Sequence, residues 1–543
     1  MATVLFIVFF CCCFICHADE ISEDYLRHRY QRLSVICQDK RQSGYDLTEV
    51  DRLIKRGRKA RQQDDLTGAN ELLNQAFDLL NSMEKQTPVP LKYTSKLTFK
   101  ESPFGVAFGE VYKGEKFMPY IRELGATRTK LYLHWHWIEP QNNKYDWRLV
   151  NSFLNQLNDG DEALIAIFTS SSWGAEGTGK GYPPKDYQEY YNFIYDLVKH
   201  CKGKIKYWQR DTEPASPRHW DKNRAEDYVK TQKYFYQAVK AADPNALVID
   251  VSMNGVFVRG EPQSKQFFEY IIKHGKDYFD VLDIRLYWNI YEIPFKVNWF
   301  RNKMQECGYQ KPIVTTEYGG PTPVQFPEFK DVKRRFTKRW TQAAEDPNYR
   351  KKAWQELTRD AKDFPPSMQM FLKNTPKELE QKRHRINCKD LIQRTVMALS
   401  AGVEKLWYWN LISQRHPHFG HHPIFGKLRL MDEHFRERYP AFYAYQRMAK
   451  KLKDIYSIER VTTAKNNLYL FKITKKNGQQ LYILWEKRDF FRGEDQPATP
   501  FELRLTWEKS KITDVFGNEQ IKPIRNGKML IEVTGTPLFL EPL

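Results

Sequence analysis

At 543 residues the chain is too long for one core, and its length suggests roughly two to four domains. Its formal net charge of +19 would attract any polyanion. The Lys and Arg residues are scattered or alternate with acids, as in KDVKRRFTKRW and EQKRHR, and there is no zinc-finger spacing or RNP-like motif. The charge therefore reads as solvated surface, and nucleic acid is not the expected partner. Aromatic residues make up 15% of the chain, more than packing usually asks for, and stacking against sugar rings is one use for that surplus.

Residues 1–18, MATVLFIVFFCCCFICHA, are an apolar run of signal-peptide length that ends in small residues before acidic ones. They read as a cleaved secretory signal, which makes the chain secreted or extracytoplasmic. The lack of Lys or Arg near Met1 keeps an uncleaved anchor as the alternative, and no other stretch suits a bilayer. Four of the eight Cys lie in this run; Cys37, Cys201, Cys307 and Cys388 are far apart, so neither a disulfide framework nor a zinc site is expected. From 19 to 90 the periodicity is helical, with Leu47, Val50, Leu53 and Ile54 followed by Leu72, Leu73, Ala76, Leu79 and Leu80. It predicts an amphipathic helical hairpin that packs on the next domain.

Between 91 and 455 short β-branched or aromatic runs alternate with helical stretches. The expected strands are 104–109, 127–135, 163–170, 205–210, 246–252, 281–288, 312–318 and 404–410. Most are apolar nearly throughout, as strands buried on both faces should be, and eight of them in βα alternation predict an α/β fold, a closed (β/α)8 barrel. The charged segment 321–388 exceeds a plain loop and helix and reads as an insertion over the mouth. From 456 to 543 alternating strands, with Lys-Asn-Gly and Arg-Asn-Gly at turns, predict a C-terminal antiparallel β-sandwich that braces the structure.

KIKYWQRDTEP brings Glu213 to the end of the fourth strand. Taken alone, Glu213 suits either a helix cap or a catalytic carboxylate. PIVTTEYGGP brings Glu317 to the end of the seventh strand, and a barrel delivers both side chains to one C-terminal mouth from opposite walls. Paired carboxylates across an aromatic-lined cleft are the apparatus of glycoside hydrolysis.

With these residues placed, the chain from about 98 to 450 resembles the retaining glycoside hydrolases of clan A. GATRTKLYLHWHWIEPQNNKYDW is similar to the second strand and loop of the xylosidase and iduronidase relatives. The resemblance implies Glu213 as acid/base and Glu317 as nucleophile, acting on an oligo- or polysaccharide without a cofactor. It also implies Tyr287 as a hydrogen-bond partner of the nucleophile and Trp409 as the platform under the reacting sugar. Three positions depart from the pattern. Thr212 stands where the clan has Asn, Lys130 where strand two has Arg, and Arg285 where strand six has His. A Lys cannot reproduce a bidentate Arg contact, so a sugar-binding barrel that does not cleave is the main rival, and a polyanion-binding surface protein the third.

Trp173 and His136 are candidate cleft walls, with packing as the alternative for each. Arg210 or Arg285, if aimed into the mouth, would suit an anionic sugar; otherwise each pairs with its neighbour, Asp211 or Asp283. His416, His418, His421 and His422 crowd the loop after strand eight, but without a carboxylate at useful spacing no metal site is expected.

Overall fold

The computed structural model describes residues 21–42, 45–83, 94–96, 102–109, 112–178, 180–216, 219–253, 262–326, 328–329, 359, 361–372, 374–413, 426–463 and 465–543. The expected signal run therefore lies outside the described residues. Among those described, no helix is long and apolar enough to cross a membrane. The chain divides into two compact units, Met1–Leu91 and Lys92–Leu543.

Among the described residues the first unit has three helices, where the sequence predicts a hairpin: α1 (Glu23–Gln42), α2 (Thr48–Gln62) and α3 (Leu66–Met83). Leu26, Leu33 and Cys37 of α1 join Val50, Leu53, Ala69, Leu73, Ala76 and Leu80 in one buried cluster. The third helix, α1, leaves a weak signal in the sequence because it is rich in charged residues and its apolar positions are sparse.

The second unit opens with β1 (Thr94–Lys96) and then forms the barrel: β2 (Phe104–Ala107), β3 (Arg128–His134), β4 (Glu162–Phe168), β5 (Tyr207–Arg210), β6 (Leu247–Met253), β7 (Val281–Leu286), β8 (Ile313–Tyr318) and β9 (Leu406–Tyr408). The strands follow one another in sequence order around a closed parallel barrel. Pairing of Gly105 with Trp407 helps close it. A Cβ at Gly105 would lie 2.7 Å from the Cβ of Arg128, so only glycine lets β2 approach β3 and β9 this closely.

Strand residues divide by alternation. Tyr132, Leu164, Ala166, Phe168, Tyr207, Ile249, Val281, Val314, Trp407 and Trp409 fill the barrel interior. Leu131, Leu133, Ile165, Ile167, Trp208, Leu282 and Ile284 meet the surrounding helices. Much of the aromatic surplus is structural, since Trp135, Trp208, Trp220, Trp407 and Trp485 are among the largest fully buried side chains. The helix Tyr187–His200 starts on Asp186, whose carboxylate accepts from the backbone N–H groups of Gln188 at 2.7 Å and Glu189 at 3.2 Å. Asp186→Ala should cost about 1 kcal/mol in a denaturant titration, the usual loss on removing an N-cap.

The charged insertion is only partly an insertion. TPKELEQKRHR opens the long barrel helix Lys377–Ser400, which leads into β9. Phe326, Phe329, Phe364, Met368, Phe371 and Leu372 form a small core of their own, packed against Phe490 and Phe491. The stretch DVKRRFTKRWTQAA of the same segment lies outside the described residues.

The C-terminal strands are β10 (Ile455–Val461), β11 (Leu468–Lys475), β12 (Gln480–Glu486), β13 (Thr499–Arg504), β14 (Lys509–Asp514), β15 (Glu519–Pro523), β16 (Lys528–Val533) and β17 (Leu538–Pro542). Seven strands form one sheet in the order β1-β10-β11-β12-β17-β14-β15, and β13-β16 form a two-stranded ribbon. The ribbon's Leu503, Met529, Ile531 and Val533 pack on Leu470, Leu484, Ile512 and Leu540 of the sheet, which makes the predicted sandwich. The sheet's opposite face presents Phe471, Ile473, Ile483, Trp485 and Phe539 to the barrel core. At the Arg-Asn-Gly turn, Asn526 (φ 52°) and Gly527 (φ 71°) both adopt positive φ, as a two-residue type I′ hairpin turn requires.

Candidate active site

Glu213 sits on a strained turn. After β5 the chain passes through Asp211 (φ 52°), Glu213 (φ 42°) and Ala215 (φ 69°), a conformation that costs about 1–3 kcal/mol per residue. Asp211 anchors it. One oxygen accepts from the Thr169 N–H at 2.9 Å and the other from the Arg210 guanidinium at 2.6 Å. Burial pushes the Asp211 carboxyl up to about 6 against the pull of Arg210. The next helix begins only at Ala225, with Arg224 before it, so Glu213 caps no helix.

Glu317 is turned inward by an irregularity in β8. Asp283 pairs with Val314 while Arg285 pairs with Glu317, so β8 spends three steps where β7 spends two. Such a bulge re-aims side chains. Thr316 and Glu317, adjacent in sequence, consequently both serve the interior: Lys130 Nζ donates to Thr316 Oγ1 at 2.9 Å and to Glu317 Oε1 at 3.1 Å.

Arg285 joins the two carboxylates. One terminal nitrogen lies 3.0 Å from Glu317 Oε1, and its Nε lies 3.6 Å from Glu213 Oε1. The guanidinium also donates to Thr316 Oγ1 at 2.7 Å, to Asp283 and to the Thr212 hydroxyl. Asp283 is the deep counter-charge, accepting in addition from Ser252 Oγ at 2.8 Å, Gln209 Nε2 at 3.0 Å and the Thr316 N–H at 2.7 Å. Burial opposes ionisation of Asp283, but Arg285, Lys130 and the bonds from Thr316 outweigh it and hold the carboxyl below its ordinary range. Tyr287 O–H donates to Glu317 Oε2 at 2.8 Å, and Thr212 O–H to Oε1 at 3.4 Å. Burial pushes the Glu317 carboxyl up, and the Lys130 ammonium pulls it back.

Burial, reinforced by the neighbouring Arg285 charge, lowers Lys130 to about 8 from an ordinary 10.5. Below pH 8 the amine is charged whether folded or unfolded, and the folded state bears the full cost of burying that charge. Between pH 8 and 10.5 the unfolded chain binds more protons, so this group makes stability rise with pH. Across that window the wild type should gain on the order of 1–3 kcal/mol relative to Lys130→Met in urea titrations at stepped pH.

Continuing the alternation of β3 from Lys130 gives Tyr132 and His134, the inward row that ends at the rim. His134 stacks on Phe168 with ring centroids 4.8 Å apart, and Phe168 in turn lies 5.9 Å from His219. His219 Nδ1 is 3.9 Å from Glu213 Oε2. Burial and the neighbouring His136 bring His134 down to about 4, so it is a neutral wall. The strand ends at His134 and a helical turn begins at Trp135, so the strand alternation that places His134 does not carry on to His136. Ring nitrogen Nδ1 of His136 lies 2.9 Å from the Ser170 carbonyl.

Trp409 packs in the interior cluster with Tyr132 and Tyr287 and is 5% exposed. Trp173 is a packing residue: its Nε1–H donates to the Glu139 carbonyl at 2.9 Å and its ring meets Trp135 edge-on at 5.2 Å. Glu139 of the IEP run is buried and accepts from Trp135 Nε1 at 2.7 Å and the Asn143 N–H at 2.8 Å, so that run braces the loop after β3. Arg210 faces outward, pairing with Asp211 and lying 3.7 Å over the Tyr228 ring, so it offers nothing to the mouth. Arg285 both pairs with Asp283 and reaches the mouth. His416, His418, His421 and His422 lie outside the described residues, and among those described no group of three or more metal-binding side chains occurs.

No model of a known protein family matches the sequence, and no curated relative matches it. Solved structures do. A family 39 glycoside hydrolase from Bacteroides cellulosilyticus WH2 superposes with a TM-score of 0.58 at 16% identity, covering 81% of each chain. A monomeric β-xylosidase from Caulobacter crescentus CB15 has a TM-score of 0.51 at 14% identity, over 82% of this chain and 98% of its own. A glucosidase from Croceicoccus marinus has a TM-score of 0.50 at 10% identity, over 82% and 98%. The chain thus has the fold of these glycoside hydrolases: an eight-stranded parallel barrel with an antiparallel β-sandwich.

Proposed function

We propose that the protein is a secreted retaining glycosidase in which Glu213 is the acid/base and Glu317 the nucleophile. The observation that carries this is Arg285, whose single guanidinium reaches carboxylates delivered by two different strands. The fold shared with glycoside hydrolases, a β-xylosidase among them, supports a carbohydrate substrate. Glu317 Oε1 is occupied by Lys130, Arg285 and Thr212, whereas Oε2 takes only the Tyr287 hydroxyl among described donors. Oε2 therefore keeps lone pairs for attack on the anomeric carbon. Protonated Glu213 donates to the leaving oxygen as the glycosyl–Glu317 bond forms; Glu213 then takes a proton from water, which releases the sugar. Two displacements retain configuration and call for carboxyl groups roughly 5–5.5 Å apart.

A panel of aryl glycosides, uronides included, tests the reading. Hydrolysis is expected for at least one, and proton NMR taken before mutarotation should show the first product with the substrate's anomeric configuration. An inverted first product would overturn the double displacement. No hydrolysis of any member would favour the sugar-binding rival, which the cations on Glu317 make physically coherent. Secretion rests on residues 1–18, and sequencing the N-terminus of exported protein should find Asp19 first.

A further inference from the structure

Outside the carboxylate site, the mouth side of the barrel carries a second charged cluster. The helix Lys377–Ser400 precedes β9, so its first turns stand at the mouth end. There Arg383 is buried at 4% exposure, and its NH1 donates to the Lys427 carbonyl at 2.8 Å. Lys427 adjoins Leu428, which packs with Trp409 in the barrel interior. Arg429 holds the Tyr439 hydroxyl at 3.0 Å, and the Tyr439 ring stacks on His384 at 5.5 Å. The described acid facing this group is Glu380, with one oxygen 3.6 Å from Arg383 and 3.7 Å from Lys427. Two cationic side chains, Arg383 and Lys427, thus share one carboxylate.

The hydrogen bonds specify what is missing. Arg383 NH2 lies 2.9 Å from His384 Nε2. A guanidinium can only donate, so Nε2 accepts and the imidazole carries its proton on Nδ1. Both His384 Nδ1 and Arg383 Nε are buried, and among the described residues neither has a hydrogen-bond partner. Each is a donor, and Lys427 has only donors to add, so what completes the cluster is an acceptor with negative charge. Crowding fits this: burial and then Arg383 hold Lys427 down to about 8, and burial with the surrounding cations holds His384 down to about 3.

We propose that Arg383, His384, Lys427 and Arg429 form an oxyanion-binding site beside the barrel mouth that takes a sulfate or carboxylate group. The proposal rests on the glycosidase reading only for the source of that group, an acidic sugar of the substrate; a free inorganic anion has the same chemistry. Full-length protein is titrated with sodium sulfate and with sodium chloride at matched ionic strength, following thermal unfolding and calorimetric heat. Saturable stabilisation by sulfate is expected. The double variant Lys427→Met/His384→Gln, which leaves the buried Arg383 in place, should weaken sulfate binding about tenfold or more. Sulfate acting no differently from chloride overturns the proposal, as does a folded variant that binds like wild type. A second arm compares a sulfated disaccharide with its desulfated form and with inorganic sulfate. Preference for the sulfated form over inorganic sulfate assigns the anion to a glycan, and equal binding assigns the site to free anions. Binding is read without turnover, so a failure to hydrolyse glycosides leaves this result standing.

Discussion

Glu317→Gln is expected to lower kcat on an aryl glycoside by on the order of 10⁶-fold, the scale seen when an enzyme loses its nucleophile. The amide is close in shape to the carboxylate, keeps an acceptor for Lys130 and Arg285, and cannot form the glycosyl ester. Glu213→Gln should behave differently. Removing an acid/base group costs about 10²–10⁴-fold, and the loss should depend on the leaving group. Nitrophenolate needs little protonation, so its glycosides should still form the glycosyl-enzyme, which then accumulates because water lacks its base. A pre-steady-state burst in Glu213→Gln, absent in Glu317→Gln, is the expected signature. Equal loss in both variants on every leaving group would contradict the assigned division of roles.

Arg285→Met should be the most destabilising single change in the site, by about 3–5 kcal/mol in urea titrations. Removing one member of a buried ion pair leaves the other charged and unpaired. Here Asp283 would lose its guanidinium, and Glu317 and Glu213 their shared cation. Arg285→Lys keeps the charge but cannot span Asp283, Thr316 and Glu317 from one planar fork, so it should recover only part of the loss. The pH dependence has a definite sign. Folded Asp283 holds its proton more weakly than the unfolded chain does, so its contribution is present above the ordinary Asp range and fades as pH falls through the lower folded value. Arg285→Met should abolish that acid-side slope. An unchanged slope would mean that Arg285 does not set the ionisation of Asp283.

The positions of the eight barrel strands and of the two glutamates could be read from the sequence because their signals are local. β-branched runs such as ALIAIF and PIVTTEY mark strands buried on both faces, and a closed parallel barrel sends every strand's C-terminal end to one mouth. The Arg-Asn-Gly turn was legible for a similar reason, since positive φ at two successive positions selects those residues. What the sequence left open depends on partners far along the chain. Lys130 and Glu317 meet across 187 positions, and only barrel closure brings them together. The bulge that turns Glu317 inward is a matter of register between β7 and β8, which neither strand encodes alone. The same holds for His134 and His136: alternation alone puts both on one face, and only the helical turn that starts at Trp135 separates them. From the sequence Arg285 suits either an ion-pair partner of Asp283 or a side chain of the mouth. Folded, it is both, because a guanidinium has five donors in one plane and the barrel sets acceptors on several sides of it.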